Sequence, residues 1–171
     1  MMTMTRSIDA TSAEAGRMAD LYRQHAPEAV RLAYLLTGDR ATAEDLTQDA
    51  FVRMFGRFRD LRQPEAFEWY LRRTIVNLSR SMFRRHKVER TYLQRRSTHP
   101  APVTDDPEPR PDLWEALLLL PIRQRAAIVL RYYEDLTESR TAEILRCPVG
   151  TVKSLVSRGM ARLREEVERD A

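Results

Sequence analysis

The segment 148–164, PVGTVKSLVSRGMARLR, mixes short hydrogen-bond donors with cations and has no acidic residue from 150 to 164. Pro148 interrupts the preceding element, and Gly150 or Thr151 can cap a new helix. Apolar residues recur at helical spacing and predict one core-facing stripe. Its members are Val152, Val156 and Leu163. The side chains on other faces suit contacts to base edges and phosphates in a major groove. They are Thr151, Lys153, Ser154, Ser157, Arg158 and Arg162. A solvated basic surface helix is the alternative interpretation.

The residues before this segment predict a partner helix. Pro121 begins a predicted helix that runs to about Tyr133, and Thr137 is a plausible N-cap for a short helix ending at Arg146. A turn at Cys147–Pro148 then leads into the basic helix. Two short helices joined by such a turn are typical of the helix-turn-helix, so this half is predicted to dock on DNA.

A second candidate nucleic-acid surface lies in the stretch 64–87. Phe67, Leu71, Ile75, Leu78 and Met82 form an apolar stripe with helical spacing. The remaining face combines aromatic rings with guanidinium and amide groups, which can stack on unpaired bases while holding their phosphates. These residues are Trp69, Tyr70, Arg72, Arg73, Asn77, Arg80 and Arg84. For Trp69 and Tyr70, packing in the core is the alternative.

The predicted helix at 40–58 presents an acidic face. Its apolar positions, stepping in threes and fours, predict a broad buried stripe. They are Ala43, Leu46, Ala50, Phe51, Met54, Phe55 and Phe58. The opposite face repeats acidic or amide side chains at i,i+4 spacing, which costs helix stability and hints at a basic partner. These are Glu44, Asp45, Gln48 and Asp49. An ordinary solvated acidic face near a helix N-terminus remains the alternative.

The rest of the chain predicts an all-α protein. A first helix is expected from about Ala13 to His25, and a second from Pro27 to Gly38. The segment 97–111 holds five of the nine prolines and reads as an extended linker of roughly 45 Å at about 3.1 Å per residue. The predicted fold is therefore two small helical domains joined by a proline-rich linker, the C-terminal one a helix-turn-helix.

Composition narrows the possible functions. The 171 residues carry a net charge of +4, and six cations against one anion crowd the stretch from Arg84 to Arg96. A single cysteine, Cys147, excludes an internal disulfide framework, and three scattered histidines predict neither a metal site nor a cofactor. No apolar run approaches a membrane span, and the N-terminus lacks an apolar signal core. We therefore expect a cytoplasmic protein without membrane insertion. The sequence contains no recognisable nucleophile–base pair and no phosphate-binding loop, so we do not expect an enzyme.

The order of these segments resembles a bacterial RNA polymerase sigma factor of the extracytoplasmic-function (ECF) type of the sigma-70 family. The motifs are AEDLTQDAF, WYLRRTIVN, the basic run, the linker and PVGTVKS, and the match spans about 16–167. The resemblance implies a disordered N-terminus at 1–15, region 2 at 16–94, a linker at 95–111 and region 4 at 112–168.

The resemblance also implies a role for each candidate surface. Glu44, Asp45, Gln48 and Asp49 would dock on the clamp coiled coil of the largest subunit of core RNA polymerase. Residues from Pro64 to Tyr70 would read a flipped base of the promoter −10 element, and Arg72, Arg73, Asn77, Arg80 and Arg84 would hold the melted strand. Thr151, Lys153, Ser154, Ser157 and Arg158 would read the −35 element. An anti-sigma factor is an expected further partner.

Several positions depart from the family pattern. Thr141 stands where a branched apolar residue is usual, Arg146 where a glycine adopts a left-handed turn, and Leu155 and Met160 where arginine is common. Tyr70 also replaces a frequent tryptophan. The departures at Thr141, Arg146, Leu155 and Met160 bear on −35 reading more than on the fold, and the one at Tyr70 bears on the shape of the −10 pocket. The alternative functions are a free-standing helix-turn-helix regulator of duplex DNA, which leaves 40–87 unexplained, and a helical adaptor, which leaves the arginines unexplained.

Overall fold

The computed structural model describes the backbone of residues 3–55, 64–93 and 111–169, and side chains within 16–55, 66–86 and 113–169. In these ranges the regular structure is helical, which confirms the all-α prediction. The helices are α1 Thr3–Thr37, α2 Arg40–Phe55, α3 Pro64–Leu93, α4 Pro111–Leu119, α5 Ile122–Ile128, α6 Glu138–Leu145 and α7 Val149–Arg169. A π-helical turn, Val129–Tyr133, continues α5.

The N-terminal segment differs from the sequence prediction. Instead of two helices separated at Pro27, α1 runs unbroken from Thr3 and contains Pro27. An internal proline removes one backbone bond and costs about 3 kcal/mol. Buried alanines and leucines on both sides of Pro27 face the same core, and this packing keeps the helix continuous. The first helix therefore includes the backbone from Thr3 onward, while Met1 and Met2 lie outside the described residues.

The junction between α1 and α2 is a compact cap. Gly38 adopts φ 78° and ends α1, as the sequence predicted. The Asp39 carboxylate accepts hydrogen bonds from the Thr42 backbone N–H at 2.7 Å and the Thr42 hydroxyl at 2.6 Å. These bonds lower the pKa of Asp39 and fix the start of α2.

The core of the N-terminal half confirms most of the predicted stripes. In α2, Ala43, Leu46, Ala50, Phe51 and Met54 are buried. Phe55 is half exposed, contrary to prediction, because a stripe seven residues wide exceeds the face that α1 and α3 can cover. Phe58 lies outside the described residues. In α3 the predicted stripe is buried except for Met82, which is half-buried against the core.

The C-terminal half contains the predicted helix-turn-helix, preceded by α4, which the sequence analysis did not identify. The Thr137 hydroxyl caps α6 by accepting a hydrogen bond from the Arg140 N–H at 3.2 Å, as expected. Arg146 ends α6 with φ 52° and ψ 55°, which confirms the left-handed position. The start of α7 is Val149, so the prediction of a cap at Gly150 or Thr151 is wrong: the Pro148 carbonyl accepts the Thr151 and Val152 N–H groups.

Leu155, one of the departures from the family pattern, and Gly159 both serve the packing of α7. Leu155 is buried in the core rather than presented to solvent. Gly159 lets α7 approach α5 closely, since a Cβ there would lie 2.6 Å from Ile128 Cδ1. A glycine inside a helix costs about 1 kcal/mol relative to alanine, and the close approach gives this one a packing reason.

One apolar core runs through both halves of the protein. It includes residues of α1, α2 and α3 together with residues of α5, α6 and α7. Tyr34 of α1 stacks on Trp114 of α4, with ring centroids 4.9 Å apart. Arg125, only 4% exposed, donates from Nη1 to the Leu36 carbonyl at 2.6 Å and from Nη2 to the carbonyls of Leu118 and Leu120. Its guanidinium therefore joins the C-terminal end of α1 to that of α4.

Thr141→Val is expected to raise the free energy of unfolding by about 1 kcal/mol, because it removes a buried hydroxyl that bonds to nothing. Thr141 is fully buried in α6, and its Oγ1 has no hydrogen-bond partner in the described structure. Urea unfolding of both proteins measures the change. A variant less stable than the wild type would mean that the hydroxyl has a partner, such as ordered water.

Candidate nucleic-acid interface

The acidic face of α2 is fully presented to solvent. Glu44, Asp45, Gln48 and Asp49 are all exposed, while the residues between them are buried against α1 and α3. Glu44 accepts a hydrogen bond from Arg40 Nε at 3.1 Å. Asp45 and Asp49 form no ion pair with another described residue, so two adjacent carboxylates on one rigid helix remain available to a basic partner.

The start of α3 brings aromatic rings and an arginine together. Trp69 and Tyr70 make an edge contact with centroids 4.7 Å apart, and the Arg73 guanidinium lies 4.9 Å from the centre of the Trp69 ring. Tyr70 is 39% exposed, whereas Trp69 is half-buried with its Nε1–H unpaired in the described structure. Trp69 packs against the edge of the core, as the alternative interpretation expected, whereas Tyr70 is exposed. This arrangement offers stacking surface beside a cation, which suits an unpaired base and its phosphate.

Asn77 and Arg84 extend the same surface along α3. Asn77 is half-buried and Arg84 is exposed. Residues 87–96 of the basic run have no described side chains. The arginine-bearing face of α3 is therefore longer than the aromatic cluster at its start and could follow several nucleotides.

Arg72 and Arg80 point instead toward the C-terminal half. Arg72 Nε donates to Glu134 Oε2, and Arg72 Nη1 donates to Glu68 Oε2 at 3.1 Å. Burial lowers the pKa of Arg72, but the hydrogen bonds and charges of Glu134 and Glu68 raise it more, so its pKa lies above the ordinary value. Arg80 Nη1 donates to the Leu145 carbonyl at 3.2 Å. The sequence did not indicate either contact.

The proposed groove-reading side chains of α7 form one exposed surface. Lys153, Ser154, Ser157 and Arg158 are exposed and Thr151 is half-buried, while Val152 and Leu163 face the core. The Ser154 hydroxyl donates to the Gly150 carbonyl at 3.0 Å, and Arg158 Nε donates to the Ser154 carbonyl at 3.3 Å. Lys153 Nζ lies 3.6 Å from Glu138, an exposed pair of little strength. These weak contacts leave the cations free to engage DNA.

The described parts of the chain contain neither a metal site nor a membrane-spanning helix. No group of three or more histidine, cysteine, aspartate or glutamate side chains there is arranged to hold a metal ion. None of the described helices is both long and apolar enough to cross a lipid bilayer.

Family models account for both halves of the chain. Residues 21–89 match the model of sigma-70 region 2, and residues 110–163 match that of sigma-70 region 4. The chain is 37% identical over 174 residues to the ECF RNA polymerase sigma factor SigE of Mycolicibacterium smegmatis, with 95% of this chain and 67% of the relative covered. It is 36% identical to the RNA polymerase sigma-E factor of Streptomyces avermitilis, with 81% of this chain and 78% of the relative covered.

Solved structures show the same fold. The sigma factor RpoE of Bartonella quintana, determined in complex with the anti-sigma factor NepR, superposes with a TM-score of 0.66 at 24% identity, covering 89% of this chain and 99% of RpoE. CnrH, determined with the cytosolic domain of CnrY, gives a TM-score of 0.65 at 22% identity, covering 96% and 97%. The chain therefore belongs to the sigma-70 family of transcription initiation factors, in its ECF group, whose members direct RNA polymerase to promoters and are not enzymes.

Proposed function

We propose that this chain acts in the cytoplasm and divides promoter recognition among three surfaces. The acidic face of α2 docks on the clamp coiled coil of the largest polymerase subunit. The aromatic and arginine side chains of α3 capture the −10 element, and the exposed face of α7 reads the −35 element. The observation that carries this proposal is the presentation of Asp45, Asp49, Lys153 and Arg158 on helices whose opposite faces are buried.

Capture of the −10 element is a binding process rather than a chemical reaction. The exposed Tyr70 ring and the Trp69–Arg73 pair provide stacking and cation–π surface for an unpaired base. Each base that leaves the duplex costs a few kcal/mol, and stacking on an aromatic side chain returns about 1–3 kcal/mol. Arg72, Asn77, Arg80 and Arg84 would supply contacts to the strand. Melting is thus driven by the binding energy of captured bases.

An anti-sigma factor is the expected negative regulator. Sigma factor RpoE of the same fold was solved in complex with the anti-sigma factor NepR. Two of the apolar side chains left exposed on the N-terminal half, Val52 at 72% and Phe55 at 50%, lie on α2 with the acidic face. A protein covering this part of α2 would compete with the polymerase for it.

Run-off transcription with purified bacterial core polymerase tests the proposed function. Templates are fragmented genomic DNA from the source organism, transcribed with and without this protein. Discrete new transcripts are expected, and alignment of their start sites gives the −10 and −35 sequences. No new transcripts, together with tight duplex binding by the protein alone, would favour the free-standing regulator.

Lys153→Ala combined with Arg158→Ala is expected to lower transcription from −35-containing promoters by about thirtyfold or more, since two base contacts of about 1–3 kcal/mol each total at least about 2 kcal/mol and each 1.4 kcal/mol is a factor of ten. Arg164→Ala combined with Arg169→Ala is the matched control, because it removes two exposed cations late in the same helix and changes the net charge equally. The measurement is run-off yield on promoters with and without the −35 element. Equal losses on both templates would contradict base reading by α7.

A further inference from the structure

Two arginines proposed to hold promoter DNA are bonded to the opposite half of the protein. The Arg72 side chain is 25% exposed and that of its partner Glu134 only 9% exposed. Because the pair is largely shielded from water, its Coulomb attraction is screened less than that of an ordinary surface ion pair. Glu134 therefore offers Arg72 a carboxylate where DNA would offer a phosphate.

Arg80 makes the second contact. Its Nη1 donates to the carbonyl of Leu145, the last residue of α6. Carbonyls at a helix C-terminus have no helical partner and carry the negative end of the helix dipole, so they attract a guanidinium. The turn of the helix-turn-helix thereby covers a second strand-binding side chain of α3.

This closed arrangement cannot persist on a promoter. Elements centred near −10 and −35 are about 25 base pairs apart, or roughly 85 Å at about 3.4 Å per base pair along one strand. In the structure, Arg80 of the −10 surface and Leu145 of the helix-turn-helix are joined by a bond of 3.2 Å. The two halves must separate before both elements can be bound.

Positive charge opposes closure at the Arg80 end. Burial lowers the pKa of Arg80 most, and the nearby charges of Arg123, Arg84 and Arg146 lower it further. None of these four arginines forms an ion pair with another described residue. Closure brings Arg123 and Arg146 near Arg80, and like charges repel, so the Arg72–Glu134 pair acts with the shared apolar core and Arg125 to hold the halves together against this repulsion.

We propose that Glu134 is an internal substitute for DNA phosphate, which latches the free protein closed and withholds Arg72 and Arg80 from DNA. The latch rests on the proposed role of these arginines in strand binding. Release of Glu134, when the polymerase separates the two halves, makes the −10 surface available only after docking. Free sigma factor is thereby prevented from occupying single-stranded DNA.

Glu134→Gln tests the latch in the full-length chain, because it keeps the side-chain shape and removes the charge. We expect a larger radius of gyration by small-angle X-ray scattering. We also expect about tenfold tighter binding of a fluorescent, mixed-sequence, single-stranded 15-mer, if the open form is about a tenth of the wild-type population. The control is Glu143→Gln, an identical change of net charge at an exposed glutamate that pairs with Arg140 at 3.3 Å.

Arg123→Glu moves the equilibrium in the opposite direction. It replaces one of the cations near Arg80 by a carboxylate, so the closed form loses a repulsion, and we expect a higher midpoint of thermal unfolding and no increase in the radius of gyration. Arg123 is exposed, so the substitution does not disturb the core. An unchanged or lower midpoint would count against the latch.

Three results would overturn the proposal. The first is an identical scattering profile for Glu134→Gln and wild type. The second is an equal gain in DNA affinity for Glu134→Gln and Glu143→Gln, which would be an effect of net charge. The third is expansion of Glu134→Gln without any gain in affinity. Failure of the proposed function is seen separately, as the absence of promoter-specific transcripts from wild-type protein with core polymerase.

Discussion

Asp45→Arg combined with Asp49→Arg is expected to weaken binding to core RNA polymerase by more than a hundredfold and to abolish run-off transcription. Both carboxylates are exposed on one face of α2 and have no cationic partner among the described side chains. Placing two arginines against a basic docking surface replaces attraction with repulsion, and like charges brought together across an interface cost several kcal/mol. Since each 1.4 kcal/mol is a factor of ten in affinity, a cost of several kcal/mol lowers the affinity for core polymerase by more than a hundredfold.

The substitution should leave α2 folded. Arginine has a higher helix propensity than aspartate, and the buried side chains of α2 are untouched. Glu165→Arg with Glu168→Arg is a matched control, because it changes the net charge equally at two exposed positions late in α7. Fluorescence titration with labelled core polymerase measures the affinities, and circular dichroism measures helicity. Affinity within twofold of wild type would refute docking through α2.

Local patterns were sufficient to predict the surfaces of the individual helices. Ala43, Leu46 and Met54 recur at helical spacing, and they are buried while the acidic side chains between them are exposed. The same reasoning located the Thr137 cap, whereas the left-handed turn at Arg146 was implied by the resemblance to the family. These features depend on contacts within one helix or between neighbouring helices, where residue type and spacing carry most of the information.

Contacts between the halves were not predictable, because they depend on how distant helices meet. Arg72 and Glu134 are 62 residues apart, and neither has a local pattern that identifies the other. Pro27 wrongly predicted a helix boundary for a related reason. The free-energy cost of a proline inside a helix is local, but the packing that keeps α1 continuous comes from other helices. Leu155 stands where arginine is common in the family, which suggests a missing DNA contact, but the structure shows that it is a core residue. Such positions require the tertiary structure.

Arg125 is the residue whose role differs most from what its type suggests. In a basic, arginine-rich sequence, residue type alone predicts that Arg125 is a surface cation. In the structure it is 4% exposed and donates to three backbone carbonyls. Burial lowers its pKa to about 10, so it is still charged at neutral pH. The cost of burying this charge is present at any pH below about 10 and is relieved only as the pH rises further. Stability near neutrality therefore does not depend on its titration.

Arg125→Ala is expected to lower the free energy of unfolding by about 3 kcal/mol. The carbonyls of Leu36, Leu118 and Leu120 would lose their donor, and hydrogen bonds to a charged group contribute about 1.5–3 kcal/mol each, offset in part by relief of the desolvation cost. Because Arg125 is charged on both sides of neutrality, the loss should be the same at pH 6 and pH 8 in urea unfolding.

Arg125→Lys distinguishes the geometry of the guanidinium from its charge. A lysine ammonium keeps the charge but lacks the planar fork that reaches the ends of α1 and α4 together, so it should recover no more than about 1 kcal/mol of the loss. Arg140→Ala, at an exposed cation, is the control and should change stability by less than about 0.5 kcal/mol. If lysine restored full stability, charge alone would account for Arg125. Since the guanidinium bonds to both halves, its loss should also favour their separation, linking the stability of the fold to access to the −10 surface.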